Sequence, residues 1–351
     1  MDKLRIAFVG CGEIAVAGAK SISQTRNIEL GMFMDTVERL AKDLSEKYKA
    51  PYTTNLDDVL GDRDIDAIYT PTPHYLHAPI AIEAAKSGKH VIVEKPIATT
   101  LADAKAMIRE CRRNHVVLSI ALVRRCGAAA AKARNLVQAG VIGTVFATEI
   151  RFLTRKPWSY WDGGFSDRVK TSWRKSKEMS GGGVLIMNCV HDIDWVRYVT
   201  GLEVNRVFSE CGTFKSPSDV KVEDTIALSV KYEGGAIGWI AACSSAEGSR
   251  SLEGSQINAI YGTDGQVLLS SNKLKAFTTK GEEGLVANSW QDIPLESYDS
   301  RAKFFDEFAR AVLSGTQPPA TGEDGLKALE IILAAYKSAE KGRPVRLPTR
   351  M

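Results

Sequence analysis

The sequence predicts an α/β chain in two parts: a parallel sheet covered by helices on both faces, then an α+β region built on antiparallel strands. Three observations carry this. Short apolar runs alternate with helix-period stretches up to about residue 122. Beyond it, strand candidates follow one another with only turns between them. The chain then closes on two long helical patterns. Alternation of strand and helix implies parallel pairing with both faces covered, and strand after strand implies antiparallel pairing.

In order, Leu4 to Val9 reads as a buried strand, Ile14 to Ser23 as a helix, Ile28 to Met34 as a strand and Val37 to Tyr48 as an amphipathic helix. Ile65 to Tyr69 is a strand, Pro79 to Ser87 a helix opened by proline, and Val91 to Val93 a strand. Leu101 to Arg113 is a helix with Thr100 and Asp103 spaced as a capping box, and Val116 to Ile120 is a strand. Ala128 to Ala139 is helical and stops at Gly140, and Val145 to Phe152 is a strand. The later strands are Val204 to Cys211, Thr225 to Tyr232, Ala236 to Cys243, Gln256 to Tyr261 and Gln266 to Ser270. Turns such as Glu233-Gly234-Gly235 and Thr263-Asp264-Gly265 separate them. Helices over Lys303 to Leu313 and Glu323 to Glu340 precede an extended basic tail. The domains expected are 1–122 and 123–351, with the last helices able to pack back on the first.

At 351 residues the chain can bury full cores without disulfides or metals. Its 44% hydrophobic and 25% charged residues are ordinary for a globular protein. The net charge of +4 comes from dispersed mixed signs, which argues against nucleic acid as a partner. Met1-Asp2-Lys3-Leu4 leads straight into a strand, and no apolar run approaches the roughly 18 residues of a membrane span, so no membrane partner and a cytoplasmic location are expected. The six cysteines lack metal-ligand spacing and read as reduced thiols, most of them buried.

Gly10-Cys11-Gly12-Glu13-Ile14-Ala15 joins the first strand to the first helix. Gly10 suits the tight turn, Gly12 lets the backbone approach a pyrophosphate, Ala15 permits close helix packing, and the helix start offers donors to an anion. Asp35 ends the second strand, where a carboxylate would hold the ribose hydroxyls of an adenosine; the competing reading is a helix cap. An acid there repels a 2'-phosphate, and Arg39 lies one helical turn on, so NAD is expected over NADP. Thr70-Pro71-Thr72-Pro73-His74-Tyr75-Leu76-His77 and Glu94-Lys95-Pro96 follow later strands, again at carboxyl ends where ligands bind open parallel sheets. Lys95 reads either as a proton shuttle beside the nicotinamide or as a surface lysine neutralising Glu94. His74 and His77, without a third ligand, read as loop hydrogen bonders, and no metal is expected. In Gly181-Gly182-Gly183-Val184 to Trp195, His191 interrupts an apolar run and is either a satisfied core residue or aimed at a ligand.

Gly10-x-Gly12-x-x-Ala15, Thr70-Pro71 with His74 and His77, Glu94-Lys95-Pro96, and Gly181-Gly182-Gly183 followed by His191-x-x-Asp194 together resemble the Gfo/Idh/MocA family, over nearly the whole chain. The resemblance implies a Rossmann domain up to about residue 122, then an open, mostly antiparallel sheet that often serves as an oligomer interface. It implies oxidation or reduction of one carbon of a sugar, polyol or related ring with NAD(P). It makes Lys95 the contact to the reacting hydroxyl, with a bond to Pro96 that is often cis, and His191 the acid or base, lining a cleft. Gly10, Gly12, Glu13, Ile14, Asp35, Thr70, Pro71, His74, His77, Glu94, Lys95 and Pro96 are the cofactor contacts expected. Two positions depart from the family. Met187 stands where many members have an aspartate four residues before the histidine, leaving Asn188 to offer a neutral hydrogen bond. Val123 stands where an asparagine often precedes Arg124.

The loop from Pro157 through Trp158, Tyr160 and Trp161 to Arg168, Trp173 and Arg174 concentrates aromatics and arginines. Aromatic faces stack on sugar rings and arginines bond hydroxyls or carboxylates, although a core or interface cluster would look the same. The substrate contacts expected are Lys95, Arg124, Trp161, Arg168, Trp173, Asn188 and His191, around a cyclic polyhydroxylated molecule. The expected chemistry is hydride transfer between a carbinol carbon and the nicotinamide, with His191 taking the hydroxyl proton and Lys95 polarising its oxygen. Two alternatives stay open: glycoside cleavage through transient oxidation with recycled NAD, and a non-catalytic NAD-binding regulator. A homo-oligomer, dimer or tetramer, is expected because the strands from Thr225 to Cys243 carry apolar residues on both faces.

Overall fold

A computed structural model describes residues 3–271, 273–281 and 283–348. The chain opens with β1 (Leu4–Val9), α1 (Glu13–Ile22), β2 (Ile28–Met34), α2 (Glu38–Tyr48), β3 (Tyr52–Thr53), α3 (Leu56–Gly61), β4 (Ala67–Thr70), α4 (His77–Lys86), β5 (His90–Val93), α5 (Leu101–Arg113) and β6 (Leu118–Ile120). Next come α6 (Ala128–Gln138), β7 (Val145–Leu153), single turns α7 (Tyr160–Gly163) and α8 (Lys177–Ser180), a π-helical turn over Leu185–Cys189, and α9 (Val190–Thr200). Then follow β8 (Val204–Gly212), β9 (Thr225–Tyr232), β10 (Ile237–Cys243), β11 (Gln256–Gly262), β12 (Gly265–Ser270), β13 (Lys273–Thr278), β14 (Ser289–Ile293), α10 (Ser300–Ser314), α11 (Gly322–Lys341) and β15 (Val345–Arg346).

Two compact units result. The first holds the described residues up to Cys126 together with 159–181 and 299–329. Its six strands are all parallel, in the order β3-β2-β1-β4-β5-β6. Helices cover both faces, so β4 and β5 are buried almost throughout, which is why their sequences show apolar runs and no alternation. The capping pair at α5 forms as spaced: the Thr100 hydroxyl accepts from the Asp103 amide at 3.1 Å and donates to the Asp103 carboxylate at 2.7 Å.

The sequence reading places 123–351 in a second domain with its last helices able to pack back on the first; in the structure 159–181 and 299–329 cluster with the first unit. Packing explains the later stretch. On α10, Phe304, Phe305 and Phe308 are fully buried, and the Phe305 ring meets Tyr69 edge-on at 5.1 Å. Asp299 and Asp306 accept from Ser21 and Asn27 at 2.6 and 2.8 Å, fixing α10 along α1 and β2.

The second unit holds 127–158, 182–298 and the described residues from 330 onward. Its nine strands run β14-β13-β12-β11-β7-β10-β9-β8-β15, with β7 and β10 parallel and the other neighbours antiparallel. One face packs on α9 and α6. Along β9 the inward residues Ile226, Leu228, Val230 and Tyr232 alternate with exposed Ala227, Ser229 and Lys231. Ile237 and Trp239 of β10 point the other way and are 54% and 41% exposed, whereas Ile240 is inward. β13 and β14 are absent from the sequence reading, and the extended tail supplies β15, an edge strand on β8.

Glu94, 6% exposed at the end of β5, ties α10 to the parallel sheet. It accepts from the Tyr69 hydroxyl at 2.5 Å and the Arg301 guanidinium at 2.8 Å. Burial alone would raise this carboxyl, but the charges of Arg301 and Lys95 and the bonds from Tyr69 and Arg301 hold it below the ordinary value. Removing the guanidinium leaves a buried carboxylate uncompensated, so Arg301→Met should lower stability by roughly 3 kcal/mol at neutral pH. Because the folded-state pKa is depressed, the stability Glu94 contributes is present above its unfolded value and lost as pH falls through the folded one. Urea unfolding should therefore show a gap between wild type and Arg301→Met that narrows in acid and shrinks when Glu94→Gln is added. A gap independent of both would refute the assignment.

Candidate active site

The nucleotide-facing elements lie within the first unit. Gly10 has φ of 102° and sits so close to the loop after β4 that a Cβ there would stand 2.8 Å from the Thr72 methyl. Only glycine meets both demands. Gly12 begins α1 without any side-chain cap, so the first amides of the helix remain available to an anion. Asp35 follows β2, its two oxygens accepting from the Cys11 amide at 2.7 Å and the Val37 amide at 2.9 Å. The carboxylate is thus locked beside the glycine turn and also takes the amide of Val37, the residue that precedes α2. A close-approach turn, an uncapped helix start and a fixed carboxylate fit the pyrophosphate and ribose of a dinucleotide. Burial first, then Asp35, pushes the Cys11 thiol far up, leaving it inert.

The loops after β4 and β5 are tied to each other by histidine. His77 Nδ1 lies 2.8 Å from the Pro96 carbonyl and its Nε2 lies 3.1 Å from that of Thr72. His74 Nδ1 lies 2.7 Å from the Ser180 carbonyl, and its ring packs on Trp173 at 4.5 Å. Burial pushes both histidines below their usual range, His74 furthest. Thr70, fully buried, shares a 2.9 Å hydroxyl contact with Thr72. Among the described residues no three His, Cys, Asp or Glu side chains converge as metal ligands would. Lys95, half-buried, leaves the carboxyl end of β5 through a cis bond to Pro96. The Glu94 carboxylate is bonded to Tyr69 and Arg301, so it anchors this loop.

The aromatic and arginine-rich loop, expected to hold substrate, is placed differently. Arg168 donates from Nε to the Cys11 carbonyl at 3.0 Å, from Nη2 to that of Leu40 at 3.1 Å, and pairs with Asp43 at 3.2 Å. The Phe165 amide donates to Glu13 at 3.2 Å, and Val169 lies over Gly12. Arg168 is therefore engaged with the glycine turn and α2. Trp161 is 2% exposed, edge-on to Tyr160, so it is a core ring and not an open stacking platform. Trp173 stands between His74 and the Arg174 guanidinium. Arg124 is half-buried on a 3-10 turn, while its neighbour Arg125 pairs with Asp324 at 2.9 Å. No local pattern marks Arg168 or Arg301 for these roles, since their partners are distant in sequence and partly backbone carbonyls.

In the second unit, His191 lies on the first turn of α9, just past the π-helical turn. From Ser180 to Arg197 every residue is buried except Asn188 and His191. Their spacing of three puts them on one helical face, so the histidine is not part of the apolar packing around it. Asn188 Oδ1 is shielded from solvent and has no hydrogen-bond partner among the described residues, an acceptor available to a ligand. Met187 is buried, its sulfur 3.9 Å from Lys156 Nζ, a lysine only 3% exposed. Asp192 accepts from Asn258 at 2.8 Å, and Asp194 lies 4.0 Å from Arg197.

Comparison with known proteins identifies the family. Residues 4–122 match the model described as the oxidoreductase family NAD-binding Rossmann fold, and residues 134–347 its C-terminal alpha/beta domain. The chain is 27% identical to myo-inositol 2-dehydrogenase of Thermotoga maritima over 98% of both chains. It is 28% identical to 1,5-anhydro-D-fructose reductase of Ensifer adhaerens over 98% of this chain and 99% of that one. The structure of aldose-aldose oxidoreductase from Caulobacter crescentus, complexed with glycerol, superposes with a TM-score of 0.85 at 25% identity, covering 98% of this chain and 100% of that one. No helix of the described residues is long and apolar enough to cross a membrane. The chain belongs to the Gfo/Idh/MocA oxidoreductase family, with an NAD-binding Rossmann domain at its N-terminus and the family's alpha/beta domain after it.

Proposed function

We propose that this oxidoreductase transfers a hydride between a carbinol carbon of a sugar, polyol or sugar derivative and the nicotinamide of NAD. The observation that carries this reading is the carboxyl edge of the parallel sheet. There the Gly10 turn, Thr70 and Lys95 leave neighbouring strands beside the β1–β4 crossover, where doubly wound sheets bind ligands. The relatives named for inositol and anhydrofructose support a ring bearing several hydroxyls. When bound, the nicotinamide supplies the carbon that accepts or returns the hydride. Lys95 holds and polarises the reacting oxygen, and His191 takes the hydroxyl proton in oxidation and returns it in reduction. Asn188 and Arg124 are the remaining proposed substrate contacts, whereas Arg168 and Trp173 serve the nucleotide side.

A panel of inositols, free sugars and glycosides followed by NADH absorbance tests the reading. Sugar release without net NADH would point to transient oxidation with recycled cofactor, and NADH binding with no turnover of any compound would favour a regulator. With an active substrate in hand, His191→Ala should cut turnover roughly a hundredfold while leaving NADH affinity nearly intact. Lys95→Met should lower turnover and raise KM together, because the same ammonium grips the reacting oxygen. Turnover indifferent to His191→Ala would make that histidine structural.

NAD is preferred over NADP because a 2'-phosphate would stand against the fixed Asp35 carboxylate. Asp35→Ser should narrow or reverse the preference in fluorescence titrations with the two reduced cofactors. Tighter binding of NADPH than NADH by the unaltered protein would rule this out.

The outer face of the nine-stranded sheet supports a homo-oligomer. Trp239 stacks on Tyr261 at 5.7 Å, Phe277 meets Trp290 at 5.8 Å, and Ile237 extends the patch. Large apolar side chains on an outer sheet face are costly to leave in water. Light scattering at micromolar concentration should give more than one chain per particle, and Ile237→Glu with Trp239→Lys should shift it toward monomer. A monomer before substitution would overturn the proposal.

A further inference from the structure

We infer that Glu223 and Tyr336 are positioning residues for His191, fixing the register of the helix that carries it. The inference rests on the proposed role of His191 in proton transfer. The consecutive amides at the start of this helical segment are all met by that pair. Gly183 donates to Glu223 Oε2 at 2.6 Å, Val184 to the Glu223 carbonyl at 3.1 Å, and Leu185 to Glu223 Oε1 at 3.0 Å. Ile186 donates to the Tyr336 hydroxyl at 3.3 Å, which itself donates to Glu223 Oε1 at 2.8 Å. A carboxylate at a helix start is also the favourable sign for the helix dipole.

The glycine run exists to admit this pair. Gly182, at φ of 148°, leaves no room for a side chain, because a Cβ would fall 2.3 Å from the Tyr336 hydroxyl oxygen. At Gly183 a Cβ would fall 1.8 Å from the Glu223 carbonyl oxygen. Burial is the largest influence on both acids and raises them, and the neighbouring carboxyl raises the phenol further, so Tyr336 keeps the proton it donates.

Register matters here more than stability alone. Directly after the cap comes the π-helical turn Leu185–Cys189, a geometry whose wider bonding competes with ordinary α-helix. Slippage by one residue rotates everything downstream by about 100°. His191 would then turn into the packing now filled by Val190 and Asp192, both buried. A cap that meets each amide from Gly183 to Ile186 selects one start, and so one outward face for Asn188 and His191.

Tyr336→Phe is the mild test, since it removes one hydroxyl, and Glu223→Gln is the stronger one, since it turns an amide donor toward helix N–H groups. Both are measured with the active polyol for kcat and KM, with NADH by fluorescence, and without ligand by hydrogen exchange over 183–191. The expected result is a fall in kcat of about tenfold for Tyr336→Phe, with KM and NADH affinity within about twofold and faster exchange in that segment. On a His191→Ala background, Tyr336→Phe should cost no further turnover, because the group it positions is gone. Equal losses with and without His191, or an unchanged kcat, would overturn the inference even if Glu223→Gln failed to fold. Turnover indifferent to His191→Ala alone would instead remove the reading on which it rests.

Discussion

The amides that open a helix have no partner inside it, and in this chain the treatment of two such openings organises everything around them. At α1 the start is left without a side-chain cap behind a glycine turn that a Cβ would block, so its donors stay available to an anionic ligand. Before α9 the opposite holds. Glu223 and Tyr336 take the donors from Gly183 to Ile186, leaving nothing there for a ligand and committing the segment to one register. The same physical demand thus produces a binding surface in one unit and a fixed scaffold in the other, and glycines mark both for different reasons.

Supports in the first unit follow from keeping that glycine turn in place. Asp35 grips the Cys11 amide, Arg168 grips the Cys11 carbonyl, and Phe165 engages Glu13. The loop after β5 is held by Glu94 against Tyr69 and Arg301, and its proline carbonyl is held by His77. Lys95 therefore projects from a segment whose neighbours on either side are anchored. For an ammonium proposed to polarise one oxygen, that restraint would have catalytic value, because misplacement by even 1 Å costs rate steeply.

What the sequence disclosed, and what it hid, divides along the range of the interactions. Elements buried on both faces or capped locally, such as β1, β2 and α5, carry their pattern within a few residues and were legible. β3 has two residues and α3 six, too few for a period to show, and β14 alternates without a strong apolar run. The transfer of 159–181 to the first unit was not legible, because Arg168 bonds backbone carbonyls 128 and 157 residues away, and a carbonyl has no sequence signature. For the same reason Gly181-Gly182-Gly183 was visible as a motif, but the distant partners that crowd it, Glu223 and Tyr336, were not. In sequence His191 stood out as an interruption of an apolar run and only the resemblance favoured a ligand-facing role, whereas burial separates it from its neighbours without that help.

Met187 follows from this reasoning. A carboxylate four residues before His191 would, on a regular helix, face the imidazole and favour its charged form. In this chain position 187 also faces the ammonium of Lys156, with the sulfur 3.9 Å from Nζ in a dry setting. An acid there would have a lysine within reach as well as a histidine, and the attraction between fixed opposite charges in low dielectric would draw it to the lysine. The thioether fills the space and tolerates the ammonium without competing for it. Asn188 shares the helical face of the histidine. The cap that begins the helix is then the proposed source of orientation for the imidazole.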